Sequence, residues 1–241
     1  MILELTVVFL VALLAGGVAS VSGFGIGSLL TPLFALRLDL QLAVAAVSIP
    51  HVLGTAARFL LIRKDLRKDI FINFGIWSAV GGLSGAILHN VANNPTLVVV
   101  FACLLIFAGG TGTFGVSDKL RCPPKLSWLA GLSSGLFGGL VGNQGGIRSA
   151  ALLGFDLSKE QFVASATGIA LLVDAARMPV YFASRSDSLM QIVLPIAVAS
   201  VGVLTGTWVG KIALTKIPEP LFKRLVSLLI FVLGISMLLK R

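Results

Sequence analysis

The chain has 241 residues, of which 56% are hydrophobic and only 12% charged, and it carries a net charge of +9. With a mean hydropathy of +1.00, it is not an ordinary soluble domain, in which about a quarter of the residues are charged. Nor does the basic balance point to nucleic acid. Arg63, Lys64, Arg67 and Lys68, then Lys119, Arg121 and Lys125, gather in short loops with no interleaved aromatic patch, the positive-inside distribution that orients a chain in a membrane.

Ten apolar segments are expected along the chain, near 3–21, 26–36, 40–62, 70–89 and 96–116, then near 126–141, 146–155, 160–183, 190–210 and 221–239. Several are long enough to cross a hydrocarbon layer of ~30 Å. Backbone polar groups find no water there, so the segments must be helices or a closed barrel. Unbroken apolar runs favour helices, since barrel strands alternate. The expected fold is therefore an all-α polytopic membrane protein. Met1-Ile2-Leu3-Glu4 lacks the basic region that precedes a secretory h-region, so the first helix is expected to be retained. Cys103 lies in an apolar run and Cys122 in a basic loop, which gives no reason to expect a structural disulfide.

The second and seventh segments are too short to span alone, because ~11 helical residues reach only ~16 Å. Each follows a glycine-rich break: Ser22-Gly23-Phe24-Gly25-Ile26-Gly27-Ser28 and Gly142-Asn143-Gln144-Gly145-Gly146-Ile147-Arg148. The two breaks are 119 residues apart, and the same shift superimposes Val44-Ala45 on Val163-Ala164 and Ala56-Ala57-Arg58 on Ala175-Ala176-Arg177. Further along, Gly81 and Gly85 align with Gly202 and Gly206, and Leu104-Leu105-Ile106-Phe107 with Leu228-Leu229-Ile230-Phe231. The expected organisation is two homologous halves of about five segments, 1–116 and 126–241, joined by a cytoplasmic linker at 117–125. Ten crossings would invert one half relative to the other. If the short segments instead dip in and return, the count is eight.

The breaks are not a dinucleotide fingerprint, because no strand precedes them and no βαβ unit surrounds them. Unwound backbone inside a membrane is tolerated only where protein or a water-filled cavity satisfies it. A helix restarting after such a break offers free N–H groups to an anion, and secondary transporters place such broken helices at the midplane between two repeats. Gly25, Gly27, Ser28, Gly145 and Gly146 are therefore candidate binding positions. Asn143, Gln144 and Arg148 add polar groups that a packing seam does not need. For Gly81, Gly82, Gly85, Gly202 and Gly206, close helix packing is the expected role.

Two polar stripes complete the candidate site. Ser48, His51, Thr55 and Arg58 share one helix face, and Thr167, Asp174 and Arg177 form the equivalent stripe, with Ala170 in the place of the histidine. Such stripes are expected to face the bundle interior, where arginine's planar fork suits carboxylate- or sulfonate-like anions. Two competing readings stand beside this one. Arg58 lies about 7.5 Å of helix from the basic loop and could snorkel to it. Arg177 could be held by Asp174 at i,i+3. His51 is either a proton carrier or a packed hydrogen-bond partner. Trp77, Trp128 and Trp208 read as interface or packing residues, and no metal-ligand cluster or nucleophile–base pair points to an enzyme.

The glycine-rich breaks, the small-residue third segment of each half and the chain length resemble the TauE/SafE, or sulfite exporter, family. Within it, Ser48-Ile49-Pro50-His51 through Arg58, Gly142 through Ala150, and Asp174-Ala175-Ala176-Arg177-Met178-Pro179 are similar to one bacterial subgroup. The resemblance implies a duplicated helical fold in the inner membrane, with no prosthetic group, moving sulfite or organosulfonates such as sulfoacetate. The partners it implies are a small anion and the lipid bilayer; a homodimer is left open. The chain departs from the pattern at Gly23-Phe24-Gly25-Ile26-Gly27, which lacks the fuller glycine run, and at Asn143-Gln144, which replaces a plainer glycine stretch. Both departures fall at the expected binding site. Another small anion, such as a carboxylate, or an anion channel is the alternative reading.

Overall fold

The computed structural model describes residues 2–91, 94–113, 124–142 and 157–213, with isolated positions in 145–155 and 218–239. They form eight α-helices: α1 Ile2–Ser22, α2 Ile26–Ala35, α3 Leu40–Ile62, α4 Lys68–Val91, α5 Asn94–Thr113, α6 Ser127–Val141, α7 Lys159–Gln191 and α8 Val193–Ala213. Single 3₁₀ turns lie at Arg63–Asp65 and Pro124–Leu126. There is no strand among the described residues. By length and composition, α1, α3, α4, α7 and α8 can each cross a membrane. With ten residues, α2 reaches only ~15 Å. The chain is an all-α, multi-pass membrane protein.

Local sequence sets the boundaries. Asp39 starts α3 by accepting from the Leu42 amide at 3.0 Å. Ser158 and Gln161 form a reciprocal capping box at the start of α7. Between α1 and α2, Gly23 (φ 78°) and Gly25 (φ 134°) take left-handed backbone that a side chain would strain. Gly142, left-handed at φ 75°, ends α6 in the same way.

The segment boundary expected near 184–189 appears as a kink rather than a loop. In the polar run Ser184-Arg185-Ser186-Asp187-Ser188, Arg185 leaves helical geometry (φ −138°, ψ 15°), and α7 is two helical stretches joined end to end there. The Arg185 side chain donates to Gln41 Oε1 on α3, and Leu189 returns to the core. The segments expected near 146–155 and 221–239 lie outside the described residues except at isolated positions. So does most of the linker at 117–125.

Glycine sets the closest helix contacts. On α1 and α8, Gly16 packs on the Val203 carbonyl, Gly206 on the Leu13 carbonyl and Gly210 on Gly17. On α4 and α6, Gly81 and Gly85 meet the Leu132 and Leu136 carbonyls, and Gly135 meets the Ser78 carbonyl. Lipid tails are as apolar as leucine, so such helices associate through close van der Waals packing, which small residues permit. Leu10, Leu14, Ile72, Ile76, Val201 and Trp208 are correspondingly exposed on the outside. Trp77 and Trp128 pack together, with ring centroids 5.8 Å apart. The long helices α3 and α7 lie against each other, α3 also touching α8 and α7 also touching α4.

This packing is testable. Gly135→Val puts two methyl groups where backbone already stands, so it is expected to cost at least ~1–3 kcal/mol. Gly110→Ala, whose new methyl would sit 3.7 Å from the Phe231 ring, is expected to cost little. Thermal unfolding in detergent separates the two, and equal midpoints would contradict the α4–α6 contact.

Candidate functional site

The two breaks touch. Gly27, in the first turn of α2, packs directly on the carbonyl of Gly142 at the end of α6, and Gly145 packs on the ring and Cβ of Phe24. A side chain at Gly27 or Gly145 would collide with the opposite break. Between them lies a narrow pocket lined by Phe24, Gly25, Gly27, Ser28, His51, Gly142, Gly145 and Arg148. Unlike α3 and α7, α2 has no side-chain cap; Gly25 stands at its N-cap. Its first turn, with Gly27 and Ser28, borders the pocket.

Unwound backbone needs partners, and buried side chains supply them. In the first break, Ser22 Oγ donates to the Phe24 carbonyl at 2.8 Å, and Arg58 Nη2 donates to the Gly23 carbonyl at 3.4 Å. At the end of α6 the carbonyls of three successive residues are engaged. Arg177 Nη1 donates to Gly138 and Tyr181 Oη to Gly139, while His89 Nδ1 lies 2.7 Å from the oxygen of Leu140. The last turn of α6 is thereby tied to α7 and α4 just before the chain breaks.

Behind the pocket, both polar stripes are buried and face each other across α3 and α7. Arg58 Nε donates to Thr167 Oγ1 at 3.0 Å. His51 Nδ1 sits 2.7 Å from Asp174 Oδ2. Arg177 reaches the other oxygen of the same carboxylate, with Nε and Nη2 at 3.0 and 2.7 Å from Oδ1. Asp174 is fully buried, at 0% exposure, and joins a histidine to a guanidinium. Arg58 does not snorkel to the basic loop, because its head is turned inward to Thr167. Arg177 is held by Asp174, as its spacing allowed.

Arg148 differs from both. It is 1% exposed, and its Nε and Nη1 have no hydrogen-bond partner among the described residues, although it lines the pocket. It lies within electrostatic range of Asp174 and Arg177, yet forms an ion pair with no acid among the described residues. One nitrogen of Arg58, Nη1, is unpartnered as well. A buried guanidinium stays protonated, and leaving its donors unmade costs free energy that a negatively charged ligand can recover.

Of the positions singled out by sequence, Gly25, Gly27, Ser28, His51, Gly145 and Arg148 converge on one pocket, while Arg58, Asp174 and Arg177 stand behind it. Asn143, Gln144 and Gly146 lie outside the described residues. Sequence reasoning missed Phe24, Tyr181, His89 and Gln41 as supporting residues. Tyr181 carried a usable signal: it is the only tyrosine in the chain and lies one helical turn beyond Arg177. His89 and Gln41 meet across 48 residues, the Gln41 amide bonding the His89 carbonyl, and nothing local announces that contact.

The ion pair makes a quantitative prediction. Asp174→Ala strands Arg177 without its counter-charge and is expected to cost ~3–5 kcal/mol. Asp174→Ala combined with Arg177→Met should recover part of that loss. A cycle of unfolding measurements in detergent tests it, and strictly additive losses would contradict a direct pair.

Among known proteins, no curated protein and no solved structure matches the chain. One family does: Sulfite exporter TauE/SafE, over residues 8–237, nearly the whole length. These are membrane transport proteins for sulfur-containing anions such as sulfite, not enzymes. Two touching helix breaks enclosing an unpaired buried guanidinium suit such cargo, and the chain belongs to the TauE/SafE sulfite exporter family.

Proposed function

We propose that the chain is a secondary transporter that carries a small sulfur-containing oxyanion across the bacterial inner membrane by alternating access, with the pocket between the two breaks as its binding site. The observation that carries this reading is Arg148, buried in the pocket with two donors unpartnered. A planar guanidinium offers an oxyanion two parallel hydrogen bonds. Ser28 and the first turn of α2 supply a hydroxyl and the positive end of a helix dipole. Gly27 and Gly145 let the two breaks pack against each other at the pocket, and Phe24 lines one side.

In this reading the repeated arginines have a different duty from Arg148. Arg58 serves a carbonyl of the first break and Arg177 a carbonyl just before the second, so each holds the broken backbone of its own half. Their charge acts on the ligand from behind. Asn143 and Gln144, outside the described residues, are proposed from the sequence as further hydrogen-bond donors to the anion.

A duplicated chain is the natural frame for alternating access. The exchanged contacts favour duplication: the first apolar segment expected in each half packs on the fourth segment expected in the other, α1 on α8 and α6 on α4. Rocking one half against the other would expose a fixed site first to one side and then to the other.

Flux into proteoliposomes tests the site, using sulfite, sulfoacetate, thiosulfate and a simple carboxylate. Arg148→Gln is expected to lower saturable anion uptake by at least about tenfold, because charge-assisted hydrogen bonds are lost. Trp208→Phe, on the lipid-facing surface at 66% exposure, should transport as the parent does. Unchanged uptake by Arg148→Gln would sink the reading. Movement of a divalent cation with no anion flux would overturn the class of cargo.

A further inference from the structure

The transport reading leaves one buried titratable group without a task. His51 lies on α3 and lines the pocket. Its Nδ1 is committed to Asp174 at 2.7 Å. An ionised carboxylate only accepts hydrogen bonds, so Nδ1 donates to it. That contact fixes the ring and its tautomer, leaving Nε2 as the nitrogen available to a ligand. Asp174 cannot turn elsewhere, because Arg177 holds its other oxygen.

The charges around the ring are unbalanced. From α7 it faces Asp174 and Arg177, and Arg148 faces it from beyond the second break. Arg58 lies one layer further along α3 itself. Among the described residues lining the pocket, α2 and α6 contribute no titratable side chain. Among the described residues, three buried guanidiniums thus stand against a single buried carboxylate. Adding a proton to His51 in the anion-free site places one more positive charge in an already positive cluster. With an anion against Arg148, that repulsion is offset, and a protonated Nε2 gains an acceptor.

We propose that His51 is the proton-coupling residue of this transporter: anion and proton bind the pocket together, the proton on Nε2 of His51, and are released together on the other side. The inference rests on the anion-transport reading of the pocket. The step balances simply. A proton from water adds to the lone pair of Nε2, while Nδ1 keeps its own proton toward Asp174. The Nε2–H donates to an oxygen of the bound anion and returns to water when the anion leaves. Linkage makes the effect reciprocal: whatever factor the anion adds to proton affinity, the proton adds to anion affinity. A monoanion moved with one proton carries no net charge, so its flux answers to a pH difference and not to voltage. A dianion moved with one proton carries a single negative charge.

The test needs anions that hold no proton themselves near neutral pH, and thiosulfate and methanesulfonate meet that need. Proteoliposomes containing a pH-sensitive dye are clamped at zero potential with potassium and valinomycin. An inward gradient of each anion is then applied between pH 6 and pH 8. In the parent protein the lumen should acidify as the anion enters, and uptake at pH 6 should exceed that at pH 8 by at least about fivefold. In His51→Gln, anion entry should continue at a reduced rate, without lumen acidification and with less than about a twofold pH effect. Saturable entry of either anion into parent liposomes with no dye response overturns the coupling while leaving the transport reading intact. Acidification that persists in His51→Gln moves the proton to another group and overturns the assignment to His51. If neither anion enters in saturable fashion and sulfite and sulfoacetate do not either, the transport reading fails and takes this inference with it. If only sulfite or sulfoacetate enters, the same dye assay at pH 8, where sulfite is mostly dianionic and sulfoacetate is fully ionised, reads the coupling.

Discussion

Among the described residues, three guanidinium groups buried with a single carboxylate form the constraint on which the rest of this structure turns. Removing a charge from water costs several kcal/mol even after relaxation, and that cost is tolerated only where partners are exact in geometry or function requires it. Asp174 answers for one guanidinium, and Thr167 with the Gly23 carbonyl answers for much of a second. Arg148 is left with two unpartnered donors at the wall of a pocket. A buried cluster that is positive on balance is what the proposed anion site requires, and the chain belongs to a family of anion transporters.

The same side chains solve a backbone problem. Left-handed glycines at Gly23, Gly25 and Gly142 interrupt helices where lipid offers nothing to bond. Around each interruption the carbonyls are taken up by side chains from other helices: Arg58 at the first, and Arg177, Tyr181 and His89 at the second. Charge and backbone are therefore coupled. In the proposed mechanism, a change in the Asp174 network would act on the ends of the broken helices through these bonds. Such coupling is what a site must have if occupancy is to bias two packings of the same helices.

Much of this was legible in the sequence, for physical reasons. Long apolar runs admit few structures in lipid, so helix type and approximate span followed from composition. The polar stripes at Ser48–Arg58 and Thr167–Arg177 were readable because helical spacing places them on one face, and burial confirms that face. The pairing of Arg177 with Asp174 was readable from their i,i+3 spacing. Three-dimensional placement was not. Repetition drew attention to Arg58 and Arg177, whereas the guanidinium at the pocket wall is Arg148, which has no counterpart in the first break. The clamp of His89 and Tyr181 on the last turn of α6 joins residues far apart in the chain, and no local pattern encodes it. The polar run at 184–188 marked a real interruption, a kink at Arg185 rather than a loop, and its contact with Gln41 on another helix had no local signal.

Selenite shares the charge and three-oxygen shape of sulfite, and its selenium scatters anomalously. An anomalous difference map from crystals grown with selenite would locate the bound anion without assumptions about flux. The account predicts one dominant peak between the two breaks, within hydrogen-bonding reach of Arg148 Nε and Nη1 and of Ser28, lost in Arg148→Gln. A dominant peak elsewhere, or one that survives unchanged in Arg148→Gln, would contradict it.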